Sequence, residues 1–238
     1  MDNQENLEKK FLKITSIRTS SRAYQMKLKE GDIILCLDGE FMNLSYEEFS
    51  KKLNDIDNKS ILTIVRDDIH FNTYVYGSLG IICEEINDHQ ISDIDKIDLK
   101  KIIDMNAFYQ QYEIYKNMGN VCILLNTFPT ILASLVPPLW MIQNRLWMLF
   151  GISMVYYSIL LITSPWLFCI GWVLKSWYVG NSQIEILQYF YRFNNYKLWL
   201  SFCEVNDQKA QELTRQIDNK IDFDFSYLEP AVLENKFF

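Results

Sequence analysis

The chain has 238 residues, is 49% apolar and 22% charged, and carries a formal charge of −7 at neutral pH. An acidic chain lacks the bases that neutralise phosphates in bulk, so nucleic acid is not an expected partner. The charge is also uneven: residues 121–180 hold Arg145, Lys175 and no acid, a stretch too apolar for disorder and hard to fit into a wholly soluble enzyme of this size.

The opening, MDNQENLEKKFLKI, mixes charges and shows no apolar run of signal-peptide length. Residues 11–17 and 33–37 read as strands, the second ended by the turn pair Asp38-Gly39. Ser45 followed by Glu48 forms a capping box, and apolar residues at helical spacing continue to residue 54. Residues 61–65 alternate as a strand, Arg66-Asp67-Asp68 turns the chain, and residues 71–76 return. This order predicts a small α+β barrel over residues 1–90.

A helix is expected over residues 93–117, inside a juxtamembrane linker at 91–120. Residues 121–142 then run without a charge for about 33 Å at the helical rise, close to the thickness of a bilayer core. After the polar turn Gln143-Asn144-Arg145, a second uncharged run covers residues 146–173, with Pro165 expected to kink it. All six tryptophans lie between positions 140 and 199, several at the ends of these runs, as in an aromatic belt. The reading is a transmembrane hairpin over 121–180. Flanking lysines and arginines then place both termini in the cytoplasm of a multi-pass inner-membrane protein. Pro129, Pro137 and Pro138 leave open a broken or re-entrant first segment. Residues 181–238 are read as a helical C-terminal region. In it, 183–203 lies in the membrane interface or is buried, and 206–220 forms a short polar helix.

The run ITSIRTSSRAYQMKLKEGDIILCLDGEFMNLSYEEFSKKL resembles the middle of a bacterial-type PDZ domain. The matching residues are Ser21-Arg22-Ala23, Leu28, Gly31-Asp32, Asp38-Gly39, Phe49 and Leu53, within a resemblance covering about residues 11–86. Lys27 stands where a glycine is usual and Arg22 where a proline is common. The resemblance implies capture of an extended peptide, often a C-terminus, by strand addition beside a helix. Ser78-Leu79-Gly80-Ile81 has the apolar-Gly-apolar form of that family's carboxylate loop. It follows the last strand instead of preceding the first, which implies a circular permutation with residues 82–86 as the peptide-pairing strand. A plain glycine turn is the other reading. By the same resemblance, Tyr46, Ser50 and Leu53 line the groove, with Tyr46 two residues from the peptide's end. A second resemblance, carried by Pro138, Trp140, Arg145 and Trp147, is to an uncharacterised Trp-rich bacterial membrane family and implies no activity.

Motifs of catalysis are absent. The sequence has no GxSxG, HExxH, Walker or GxGxxG pattern. Its two histidines, His70 and His89, lie outside metal-ligand spacing, and its five cysteines are scattered without a CxxC. No enzyme activity, cofactor or metal is expected. The expected function is that of a membrane-anchored PDZ-like adaptor, whose partners are a protein or peptide ligand and the lipid bilayer. The alternatives are an accessory subunit of a membrane complex and a regulatory partner of a membrane protease. The chain's own tail, Lys236 to Phe238, is either an internal competitor for the groove or a frayed end.

Overall fold

A computed structural model describes residues 10–54, 59–87 and 107–231. In chain order the elements are β1 (Lys10–Ile17), α1 (Arg22–Gln25), β2 (Ile33–Leu37), β3 (Glu40–Phe41), α2 (Tyr46–Asn54), β4 (Ser60–Arg66), β5 (Ile69–Val75), β6 (Ile81–Asn87), β7 (Gln110–Lys116) and β8 (Val121–Asn126). There follow α3 (Ile131–Leu135), α4 (Pro137–Gln143), α5 (Trp147–Thr163), α6 (Pro165–Phe193), β9 (Lys197–Glu204), α7 (Asp207–Ile217) and β10 (Asp222–Phe223). They form two compact units: residues 1–126 with 196–238, and residues 127–195.

The small α+β barrel expected over residues 1–90 is not found: the first unit is built on one ten-stranded sheet of order β10-β8-β7-β9-β5-β4-β2-β1-β6, with β3 paired to β2, in which the N-terminal strands continue into β9, β7, β8 and β10. Every pairing is antiparallel except β10 with β8. Local chemistry sets the tight turns. Asp38-Gly39 and Asp67-Asp68 both have positive φ, the backbone of a two-residue hairpin turn. The Asp38 carboxylate also accepts the Ile61 N–H at 2.8 Å. Asn117 closes the β7–β8 turn by accepting from the N–H groups of Gly119 and Val121, both at 2.9 Å.

Ser45 and Glu48 cap α2 reciprocally. The Ser45 N–H donates to Glu48 Oε2 at 2.9 Å and the Glu48 N–H to Ser45 Oγ at 3.4 Å. Phe49 and Leu53 turn into the core together with Leu12, Ile34, Leu62 and Phe71 from the N-terminal strands. Tyr112, Leu200, Phe202 and Leu213 join the same cluster, so both halves of the sheet share one apolar interior. Burial of this surface is what stabilises the unit. The unit also holds a buried ion pair. Arg66 donates to both oxygens of Asp32 at 2.7 Å and to the Lys27 carbonyl at 3.0 Å. Lys27 itself has φ +63, which explains why glycine suits that position.

The second unit is helical. Pro137 and Pro165 each open a helix, where the missing N–H leaves no bond unmade. Ser164 before Pro165 is extended, so the chain turns there instead of kinking. Gly171 and Gly180 permit close approach: a Cβ on Gly171 would strike Leu160, and one on Gly180 would strike Ser134. Buried Gln183 accepts from the N–H of Thr130 at 2.8 Å and from its hydroxyl at 3.0 Å, tying the start of α3 to α6. Tyr157, Phe168 and Trp172 pack as an aromatic cluster, with Tyr157 stacked on Trp172 at 5.0 Å between centroids.

The expected transmembrane hairpin and the multi-pass membrane placement built on it are not found. Among the described residues no helix is long and apolar enough to cross a membrane. The run 121–142 is β8, an irregular stretch around Pro129, and the short helices α3 and α4. The run 146–173 divides at Ser164. α5 has 17 residues, about 25 Å at the helical rise and short of the roughly 30 Å required. α6 is longer but carries Lys175, Glu185 and Arg192. The helical C-terminal region is also corrected: residues 197–204 are β9, in the middle of the sheet, although 207–217 is the expected polar helix, capped by Asn206. Of the helix expected over 93–117, residues 110–116 are strand β7 and 93–106 lie outside the described residues. The tail Lys236–Phe238 and His89 also lie outside them.

Candidate functional site

The strand β6 pairs with β1 on one side only and is the last strand of the sheet. Among the described residues its outer edge is unpaired. The carbonyl of Ile82 accepts the Thr15 hydroxyl at 3.0 Å, and that of Gly80 accepts the Arg18 N–H at 3.2 Å, so residues 80 and 82 face β1. Strand alternation then turns the N–H and C=O of Ile81, Cys83 and Glu85 outward. α2 lies beside this edge. Its Tyr46 hydroxyl donates to the Ile81 carbonyl at 2.7 Å.

A cavity of about 130 Å³ opens between α2 and the start of β6. All seven residues singled out from sequence line it: Tyr46, Ser50 and Leu53 from α2, and Ser78, Leu79, Gly80 and Ile81 from the loop and strand. Phe49, Leu53, Leu79 and Ile81 are buried and supply apolar walls. Three further lining residues are Arg18, Phe49 and Ile82. Arg18 was legible only through the β1–β6 pairing, which brings the end of β1 opposite Gly80. Among the described residues its exposed guanidinium has no acidic partner.

The loop is held from behind. The carbonyls of Leu79 and Gly80 accept from the backbone N–H groups of Ala23 and Arg18, both at 3.2 Å. Arg22 donates to the Tyr76 carbonyl and lies 3.8 Å from the centroid of the Tyr76 ring. Among the described residues the N–H groups of Leu79 and Gly80 have no backbone partner. Gly77 and Gly80 both have positive φ. The glycine at position 80 is needed for that conformation and because a Cβ would sit 2.6 Å from the Cβ of Ser21. Its missing side chain therefore faces α1, not an arriving ligand.

The other reactive groups are quiet. Burial pushes the thiols of Cys36, Cys83 and Cys122 up to about 12, which keeps them protonated. Burial lowers His70 from its ordinary range, against the nearby Asp68 carboxylate, so it stays neutral. In the helical unit, Lys175 Nζ donates to Ser153 Oγ at 2.5 Å, and Ser153 donates to the Leu149 carbonyl at 2.6 Å. Ser153 is 1% exposed, so this close pair serves to solvate a half-buried amine and offers no nucleophile to a substrate. Among the described residues no three His, Cys, Asp or Glu side chains are grouped as metal ligands.

The helical unit also presents a broad apolar surface. Ile131, Met148, Ile162 and Trp166 are each more than 70% exposed, and Trp147 and Trp177 more than 60%. No known protein family matches the sequence, and no curated protein is significantly similar to it.

Proposed function

We propose that this protein binds an extended peptide by its free C-terminus, adding it as a strand to the outer edge of β6 beside α2. The observation that carries this reading is the coincidence, at one place and among the described residues, of an open strand edge, loop N–H groups without a backbone partner, and a small cavity walled in part by Phe49, Leu53, Leu79 and Ile81. Strand addition uses the outward groups of Ile81, Cys83 and Glu85 for main-chain bonds, and pockets between strand and helix for side-chain selection. The N–H groups of Leu79, Gly80 and Ile81 would hold the terminal carboxylate, with Arg18 adding charge. A cavity of about 150 Å³ holds benzene, so one of about 130 Å³ suits a single small apolar side chain such as valine.

The test is fluorescence anisotropy of the full chain with random hexapeptides ending in valine, each paired with its C-terminal amide. A saturable signal that the amide lowers at least tenfold supports the reading. Equal binding of acid and amide removes the carboxylate site.

A second reading is favoured by the apolar surface of the helical unit. Large exposed apolar side chains gathered on one unit are candidates for a contact surface. In this reading the protein is a subunit packed into a larger assembly, and the groove is secondary. The experiment is a variant with Ile131, Ile162 and Trp166 changed to serine. If the surface is a docking face, the variant loses its binding of an apolar-surface dye while its circular dichroism is unchanged.

A further inference from the structure

The bond from the Tyr46 hydroxyl to the Ile81 carbonyl, 2.7 Å long, lies on the one acceptor that a docked C-terminus needs first. The geometry follows from the antiparallel ladder. Ile81 is the first outward-facing residue after the loop, and a peptide running antiparallel to β6 places its last residue opposite it. Such a pair exchanges two bonds: the Ile81 N–H donates to the terminal carboxylate, and the terminal residue's N–H donates to the Ile81 carbonyl. In the structure that carbonyl already accepts a hydrogen bond from the Tyr46 hydroxyl. The half-buried Tyr46 ring packs against the core cluster, so the hydroxyl is held in place and not swinging in solvent.

We infer that Tyr46 is a latch on the groove: its hydroxyl occupies the Ile81 carbonyl in the empty state and must leave as the terminal residue docks. The inference rests on the proposed C-terminal peptide reading and assigns that site a regulating residue. It also changes the place of Tyr46, which the sequence resemblance put two residues from the peptide's end. Entry of a ligand becomes an exchange of one hydrogen bond for another at a single oxygen. A net bond of this kind is worth about 0.5–1.5 kcal/mol, which corresponds to about two- to twelvefold in affinity. The latch therefore discriminates against any chain end that cannot supply an N–H at its last residue, a terminal proline above all.

Tyr46→Phe removes the hydroxyl and keeps the ring, so the packing of α2 against the core is preserved. The probe is the tightest hexapeptide from the valine-ending pool, measured on the full-length wild type and on Y46F. A second version of the same peptide carries a methyl group on the nitrogen of its terminal valine. The latch predicts that Y46F binds the unmethylated peptide two- to twelvefold more tightly, and that this gain disappears for the methylated one. Equal or weaker binding of the unmethylated peptide by Y46F overturns the latch while leaving the peptide site standing. A pool that yields no ligand for either protein overturns the peptide reading and the latch with it.

Discussion

Gly80→Ala is the substitution whose cost the structure defines most closely. Two separate penalties meet at this residue. The backbone has φ +67, where an L side chain costs about 1–2 kcal/mol. The new methyl group would also lie 2.6 Å from the Cβ of Ser21, and overpacking of this kind costs about 1–3 kcal/mol. The loss of unfolded-chain entropy returns about 0.4–1 kcal/mol, leaving a net destabilisation of about 1–5 kcal/mol. That is a large share of a domain's usual 5–15 kcal/mol. The two penalties separate in a double-mutant cycle. Ser21→Gly removes the colliding atom at the expense of the bond from the Tyr24 N–H to the Ser21 hydroxyl, a change from a serine cap to glycine worth a few tenths. The double variant should recover the overpacking share, about 1–3 kcal/mol, and retain the backbone strain. The assay is urea unfolding followed by far-UV circular dichroism, with amide exchange on β1 and β6 to localise the change. Additivity of the two substitutions within about 0.5 kcal/mol would show that Ser21 is not what the glycine accommodates.

Breaking the Asp32–Arg66 pair with Arg66→Met strands a buried carboxylate and should destabilise the first unit by about 3–5 kcal/mol, read by thermal and urea melts; a loss below 1 kcal/mol contradicts the buried geometry. Lys27→Gly relieves a left-handed lysine and should raise stability by about 1 kcal/mol, and a fall in the urea midpoint would count against strain at that site. His70 is held below its ordinary range by burial, so the unfolded chain binds the extra proton first. Its contribution is fully present above about pH 6.5 and lost as pH falls through the lower folded value. His70→Gln should therefore flatten the stability profile on the acid side of pH 6.5, and an unchanged slope would reject that assignment.

What the sequence made legible follows from the range of the interactions. β2, α2 and the hairpin β4–β5 are set by neighbours within a few residues: alternation, the Ser45–Glu48 box, and the turn pairs Asp38-Gly39 and Asp67-Asp68. The seven groove residues were brought together by resemblance, and the structure places them around one cavity. The remainder depends on distant pairing. β9 returns to β7 across a helical insertion of about seventy residues, so from sequence its residues read as part of an interfacial or buried helix over 183–203. Arg18 entered the groove only through the β1–β6 register. Residues 121–142 show the clearest failure. Counting uncharged positions measures length, but Pro129 and Pro137 divide that length, and Cys122 and Leu125 are buried side chains of β8, a strand of the sheet. The exposed apolar face of α5 and α6 remains as the property that the uncharged runs did encode.

The central claim is that the outer edge of β6 receives a peptide strand, and residue-resolved amide exchange on the full chain with and without a saturating valine-ending hexapeptide tests it directly. The account predicts slowed exchange at Ile81, Cys83 and Glu85, whose N–H groups face outward. It predicts little change at Ile82 and Glu84, which already face β1. Protection that ignores this alternation, or that falls on the helical unit and leaves β6 unchanged, would contradict it.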